Sequence, residues 1–316
     1  MPNNNPIKVI FFATPDIALE SFNFFIKSPD YEVLALITQK AKPSNRGKKI
    51  TERNITKMAK ENNIPVFEPD KISKDTDTIE TLQKMNPDFS ITFAFGQILS
   101  QTVIDIPKFA TINLHASLLP QYRGANPIAQ SIIDGCTKTG ITTMKTVLAL
   151  DAGDICMQDE ITITPDMNVI ELMKEISNRS PKLLDKTLKG LYEGTLECRA
   201  QVECDATFCK KMKKEEKVID WNMEANALHN KIRGMYQLNT NHTTFENKIV
   251  KILKTCVVEG IEGCCGEVVE ITKEGITVCC GKNAIKLLTV KPEGKGEMPA
   301  NAWANGARIQ KGAKFQ

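Results

Sequence analysis

Asn113 and His115 stand two residues apart at the end of the apolar, β-like run Phe109 to Leu114. Side chains two apart on a strand point to the same face. The amide and the imidazole therefore project into one space. A neutral amide donor beside an ionisable ring can stabilise a developing oxyanion and handle its proton. The chain has only three histidines, which makes this one stand out. The next residues, Ser117-Leu118-Leu119-Pro120, form a mostly apolar turn able to wall that space. Taken alone, the segment fits equally an edge-strand histidine and a turn asparagine without chemistry.

A second chemical segment reads Leu150-Asp151-Ala152-Gly153-Asp154. Glycine lets backbone and substrate draw near. Asp151 can hold His115 in its cationic form or relay a proton through water. Turns also use Asp and Gly for purely local reasons, so this loop does not decide the matter by itself. In Gln121-Tyr122-Arg123-Gly124, the arginine is read as bracing the loop. Lys42 to Lys49 is a basic loop. It is either a solvated surface loop or an arm that contacts phosphates.

The elements that must position these groups follow from apolar patterning. Ile7 to Phe12 reads as a buried strand, and Thr14-Pro15 as a helix N-cap with proline at the first helical position. Val33–Thr38, Ile64–Phe67, Phe89–Phe95 and Ala110–Leu114 continue the strands, with helical spacing between them. Such alternation predicts an α/β domain with a Rossmann-like, mainly parallel sheet and helices on both faces. Ligands in such sheets sit at the carboxyl ends of the strands, where Asn113 and His115 lie. No G-x-G-x-x-G follows the first strand; Ala13-Thr14-Pro15 stands there instead, which argues against NAD. No Walker loop is present. Pro181 is expected to kink or split the helical segment 168–191. Four strand-like runs between Lys248 and Val290 predict a small C-terminal β-barrel. The expected division is a catalytic domain over 1–192, a linker over 193–210 and the barrel domain over 211–316.

Composition narrows the class. A chain of 316 residues suggests about two domains. A formal net charge of +3 is too small by itself to argue for nucleic-acid binding, so local clusters must carry any such case. Lys210, Lys211, Lys213, Lys214 and Lys217 form one. The ten cysteines contain no C-x-x-C pair. The doublets Cys264-Cys265 and Cys279-Cys280 would need unusual geometry to bind zinc. Reduced, partly buried thiols and no metal are expected. No run is long enough to span a membrane, and the first residues lack a signal core. An intracellular, reducing compartment follows as the expectation.

These motifs together resemble the folate-dependent formyltransferases. The resemblance rests on Asn113-x-His115 with Ser117 to Pro120, and on Asp151 in its Leu-Asp-x-Gly loop. Phe11-Phe12-Ala13-Thr14-Pro15-Asp16, Phe95-Gly96-Gln97-Ile98-Leu99, Tyr122-Arg123-Gly124-x-x-Pro127 and Ile219-Asp220-Trp221 extend it over nearly the whole chain. Asn45-Arg46-Gly47-Lys48-Lys49 is similar to the basic loop of the members that act on initiator tRNA. The resemblance implies 10-formyltetrahydrofolate lying along Phe95, Gly96, Gln97, Ile98 and Leu99 and along Ser117, Leu118, Leu119 and Pro120. The α-amine of methionyl initiator tRNA would attack the formyl carbon. Asn113 and His115 would stabilise the oxyanion, and Asp151 would support that charge and route the proton. Arg46, Lys48 and Lys49 would approach the acceptor stem, and the barrel would hold tRNA. A cis Leu119-Pro120 bond and a cytoplasmic monomer are expected. Two features depart from the family. Ala13 replaces a usual glycine, and the barrel region carries Glu259, Glu262, Glu267, Glu270 and Glu274, which would repel phosphate. A sugar-nucleotide N-formyltransferase or a formyl-folate hydrolase would share the trio, as would a purine-pathway formyltransferase, which leaves the last hundred residues unexplained. A non-enzymatic tRNA- or folate-binding protein would not need the trio intact.

Overall fold

The computed structural model describes residues 5–41, 51–213 and 215–316. The chain forms two compact units whose segments interleave. The first takes in the chain up to Gly124, then Gly140–Ile161 and Met173–Phe208. The second takes in Ala125–Thr139, Thr162–Leu172 and Cys209–Gln316.

The first unit is built on a seven-stranded sheet. Its strands are β1 (Ile7–Ala13), β2 (Tyr31–Ile37), β3 (Val66–Phe67), β4 (Phe89–Phe93), β5 (Ala110–His115), β7 (Lys138–Lys145) and β8 (Ile155–Thr162), with a short β6 (Arg123–Gly124) outside it. The spatial order is β3-β2-β1-β4-β5-β7-β8. The ladders from β3 to β5 are parallel, and β7 runs antiparallel to β5. The expected mainly parallel sheet is therefore present. Its central strands are buried nearly throughout: Val9 to Ala13 are fully enclosed. Helix α1 (Leu19–Lys27) covers one face by presenting Phe22 and Phe25 to Phe11, with ring centroids at 5.3 and 5.6 Å. Each such aromatic pair adds roughly 0.5–1.5 kcal/mol beyond its area burial. Ala13 pairs with Phe93, and Phe93 with Leu114. The carboxyl ends of three strands thus share one edge, which is where the site is built.

Two local expectations change. Thr14 does not cap a helix; its hydroxyl donates to the Phe95 carbonyl at 2.9 Å, and Asp16–Ala18 forms a 3-10 turn before α1. The tertiary acceptor outcompetes the local cap. Pro181 does not split its helix either, since one continuous helix runs from Val169 to Tyr192. Proline removes only one intrahelical N–H, and packing of buried Leu172, Ile176, Leu183, Leu184 and Leu188 carries the helix through it.

The second unit holds a curled antiparallel sheet. Its strands are β10 (His242–Phe245), β11 (Lys248–Val258), β12 (Val268–Ile271), β13 (Ile276–Cys279), β14 (Ala284–Pro292) and β15 (Met298–Pro299), after a two-residue β9 (Phe208–Cys209). The order is β10-β11-β14-β13-β12, with β15 on β14. These ladders make a half-barrel, and residues 312–316 bridge its gap. Thr244 and Gln316 exchange backbone hydrogen bonds on one side, while Gly312, Ala313 and Phe315 bond to Val268 and Gly266 on the other. Phe315 also enters the core, packing on Trp221, Phe245 and Trp303.

No described helix is long and apolar enough to cross a membrane. No group of three or more potential metal ligands is found among the described residues.

Candidate active site

Strand β5 carries both Asn113 and His115. Thr92 lies opposite Asn113 across the β4–β5 ladder, and its hydroxyl donates to Asn113 Oδ1 at 2.8 Å. That contact turns Nδ2 away from Thr92, and no bond to a described residue occupies Nδ2. His115 is buried. Its Nε2 lies 2.8 Å from the Tyr122 carbonyl, an acceptor that requires a proton on Nε2. Its Nδ1 lies 3.7 Å from Asp151 Oδ2. The structure therefore brings His115 and Asp151 within the reach of one water or one substrate atom, with Asn113 on the same strand.

Asp151 is aimed by backbone as much as by sequence. Its φ is +49°, in the left-handed region that a non-glycine residue occupies at a cost. Oδ2 accepts the Gly124 N–H at 2.8 Å. The loop closes where Lys145 N donates to the Asp154 carbonyl at 2.9 Å. A Cβ on Gly153 would run into the Lys145 carbonyl, so only glycine fits this closure.

The turn after β5 is fixed by hydroxyls and amides. Thr142 Oγ1 donates to the Ser117 carbonyl at 2.6 Å and accepts from Leu119 N at 3.1 Å. Ser117 Oγ donates to the Gln121 carbonyl, and Gln158 Nε2 to that of Leu119. The Leu119-Pro120 bond is cis. In the loop after β4, Phe95 and Leu99 are committed to the core, and Phe95 stacks edge-on against Phe12. Gln97 ties the loop to Ile72 N and the Pro69 carbonyl. Gly96 has φ +78°, and the Ile98 side chain is 86% exposed. Arg46, Lys48 and Lys49 lie outside the described residues, as does Lys214.

Arg123, expected to brace its loop, has partners 78 and 80 residues further along the chain. The guanidinium is 2% exposed and donates to Gln201 Oε1 and to both carboxylate oxygens of Glu203. That bond holds the Glu203 carboxyl below the usual range. Residues 197–207 run as a strap along the first unit. Arg199 and Ile155 exchange backbone bonds at 2.8 Å, Thr207 N donates to Pro120 O, and Tyr122 N donates to Thr207 Oγ1. Cys156 and Cys198 are joined in a disulfide across 42 residues, where reduced thiols were expected. The pairing of Arg199 with Ile155 brings the two cysteines side by side, a proximity that no sequence spacing encodes. Aperiodic, polar 193–208 offered no such signal.

An amide, a ring with Nε2 bound to a carbonyl, and a carboxylate thus gather at the carboxyl edge of a mainly parallel sheet, an arrangement chemically suited to acyl or formyl transfer. The chain belongs to the formyl transferase family: residues 7–188 match Formyl transferase, and residues 211–308 match Formyl transferase, C-terminal domain. It is a formyl-transferring enzyme. It is 39% identical over 307 residues to methionyl-tRNA formyltransferase of Clostridium botulinum, covering 96% of this chain and 98% of the relative. It is 37% identical over 302 residues to methionyl-tRNA formyltransferase of Staphylococcus epidermidis, covering 95% and 96%. In fold it is similar to the N-formyltransferase from Helicobacter canadensis in complex with folinic acid and dTDP-3-aminofucose. That match has a TM-score of 0.67 at 20% identity and covers 89% of this chain and 99% of the other.

Proposed function

We propose that this chain transfers the formyl group of 10-formyltetrahydrofolate to the α-amine of methionyl initiator tRNA, in the cytoplasm and as a monomer. The reading is carried by His115 held between the Tyr122 carbonyl and Asp151, with Nδ1 3.7 Å from the carboxylate. The full-length similarity to methionyl-tRNA formyltransferases supports the choice of acceptor.

The unprotonated amine attacks the formyl carbon, forming a carbon–nitrogen bond and an oxyanion. Asn113 Nδ2 donates to that oxygen. With His115 as the imidazolium, Nε2–H stays on the Tyr122 carbonyl and Nδ1–H is the second donor, since it makes no direct hydrogen bond to Asp151 at this separation. Each donor of this kind contributes about 3–4 kcal/mol of transition-state stabilisation. Asp151 supports the imidazolium and passes the amine proton through water to the departing folate nitrogen, whose bond to the formyl carbon breaks. The folate lies along Phe95 to Leu99 and Ser117 to Pro120, with Ile98 offering its side chain. No metal is required. The catalytic body spans 1–192, and the 211–316 domain holds the tRNA.

Arg46, Lys48 and Lys49 contact tRNA phosphates. In their triple alanine variant the log–log salt slope should flatten by about 0.7–0.9 for each phosphate no longer neutralised. An unchanged slope would return this loop to ordinary surface. The reaction itself is tested by offering formyl-folate with charged initiator tRNA, with an amino-sugar nucleotide, or with water alone. Turnover of the tRNA alone is expected. Turnover of the sugar nucleotide or of water in its place overturns the reading.

A further inference from the structure

The strap places one carboxamide at a junction that the mechanism does not name. Gln201 Oε1 accepts from Arg123 Nε at 3.1 Å and from Arg123 Nη2 at 2.9 Å. Its Nε2 donates to the Asp151 carbonyl at 2.8 Å and to the Gly153 carbonyl at 2.7 Å. A primary amide has two donor hydrogens and two acceptor lone pairs, and these four contacts use them all, with Met144 Sδ a weaker neighbour 4.0 Å from Nε2. The orientation is unambiguous, since a guanidinium cannot accept and a carbonyl cannot donate. One side chain therefore grips both walls of the Asp151 contact. Arg123 directly precedes Gly124, whose N–H holds Asp151 Oδ2. Asp151 and Gly153 are the loop backbone itself, with Asp151 in the left-handed region that needs outside support.

We propose that Gln201 is a positioning residue: by bridging the Arg123 guanidinium to the Asp151 and Gly153 carbonyls, it sets the Asp151 carboxylate against His115. Its hydrogen bonds all go to protein groups, so it acts through Asp151. The proposal rests on Asp151 serving formyl transfer, and the test separates the two. The variants are Gln201→Met, nearly isosteric but without hydrogen bonds at either end, and Gln201→Glu. The second keeps an acceptor for Arg123 and turns an oxygen toward two carbonyls. Each is made alone and in the Asp151→Asn background, with steady-state rates measured on charged initiator tRNA.

A misplacement of about 1 Å in a catalytic group costs about 100-fold in rate. Gln201→Met should therefore lower kcat about 100-fold, with KM for folate and tRNA changed less than about threefold. In the Asp151→Asn background the same change should lower kcat by less than about threefold, because residues acting through one group are not additive. Gln201→Glu is read by the same criteria, and it stands in if the methionine variant does not fold. A kcat within threefold of wild type overturns the positioning role. So does an undiminished loss in the Asp151→Asn background, which marks a merely structural residue. If Asp151→Asn alone keeps wild-type kcat, the assignment of Asp151 falls, and the role of Gln201 falls with it.

Discussion

His115 in the first unit and His229 in the second each have a polar group facing both ring nitrogens, yet their neighbours suit them to opposite tasks. His115 has a backbone carbonyl on Nε2 and a carboxylate 3.7 Å from Nδ1. His229 has the Thr255 hydroxyl 2.9 Å from Nδ1 and the Pro165 carbonyl 3.3 Å from Nε2. The first arrangement leaves a gap beside a negative charge, where a substrate oxygen or water can enter. The second is a closed set of neutral partners and serves packing. Residue type alone does not separate them; the atom facing the second nitrogen does.

The largest effect should come from removing the site's donors. His115→Ala and Asn113→Ala should each lower kcat by about 100- to 1,000-fold, with KM much less affected, because the donors act on transition-state charge. His229→Gln should leave kcat unchanged. Steady-state kinetics on the three variants checks this. A His115→Ala enzyme with near-normal kcat would erase the contrast between the two rings.

Glycines sharpen the same contrast. Gly153→Ala drives a methyl into the Lys145 carbonyl and must move the Asp151 loop. Its activity should fall about 100-fold, while the melting temperature drops only modestly. Gly296 in the second unit has open space around it and no positive φ. Gly296→Ala should leave both quantities unchanged. Equal kinetic losses in the two variants would show that the Asp151 loop is not held to a fixed geometry.

Much of the site was legible because strand periodicity is local. The spacing of Asn113 and His115 on β5 and the run of parallel strands could be read from apolar alternation. The strand-like runs expected between Lys248 and Val290 likewise include strands β11 and β14. What stayed hidden depends on contacts distant in sequence. Gln201 lies 50 residues from Asp151 and 78 from Arg123, in a stretch without periodicity. Its role comes from tertiary hydrogen bonds and leaves no pattern in the chain. Thr14 looked like a cap because its true acceptor, the Phe95 carbonyl, is 81 residues away. The sealing of the barrel by residues 312–316 was equally invisible, since a five-residue tail carries too little pattern to register.

The smallest effect tests the second unit through its own histidines. Burial pushes the His229 ring below the ordinary imidazole range, with the Arg233 charge adding to it and the Pro165 carbonyl and Asp166 opposing. His242 shifts the same way through burial and the charges of Lys251 and Lys217. An unfolded chain takes up a proton on each ring near pH 6.5, whereas the folded ring resists until lower pH. Between those two values the unfolded state binds more protons, so stability falls as pH falls. It is fully present above about 6.5 and is lost as pH drops through the folded value. The slope is at most about 1.4 kcal/mol per pH unit for each ring. Partial exposure of both rings reduces the integrated effect. Denaturation midpoints between pH 7.5 and 5 should therefore show a flatter acid slope for His229→Gln, with a smaller change for His242→Gln. A His229→Gln slope indistinguishable from wild type would show that this ring takes up its proton equally in both states, and the closed set of partners around it would lose its meaning.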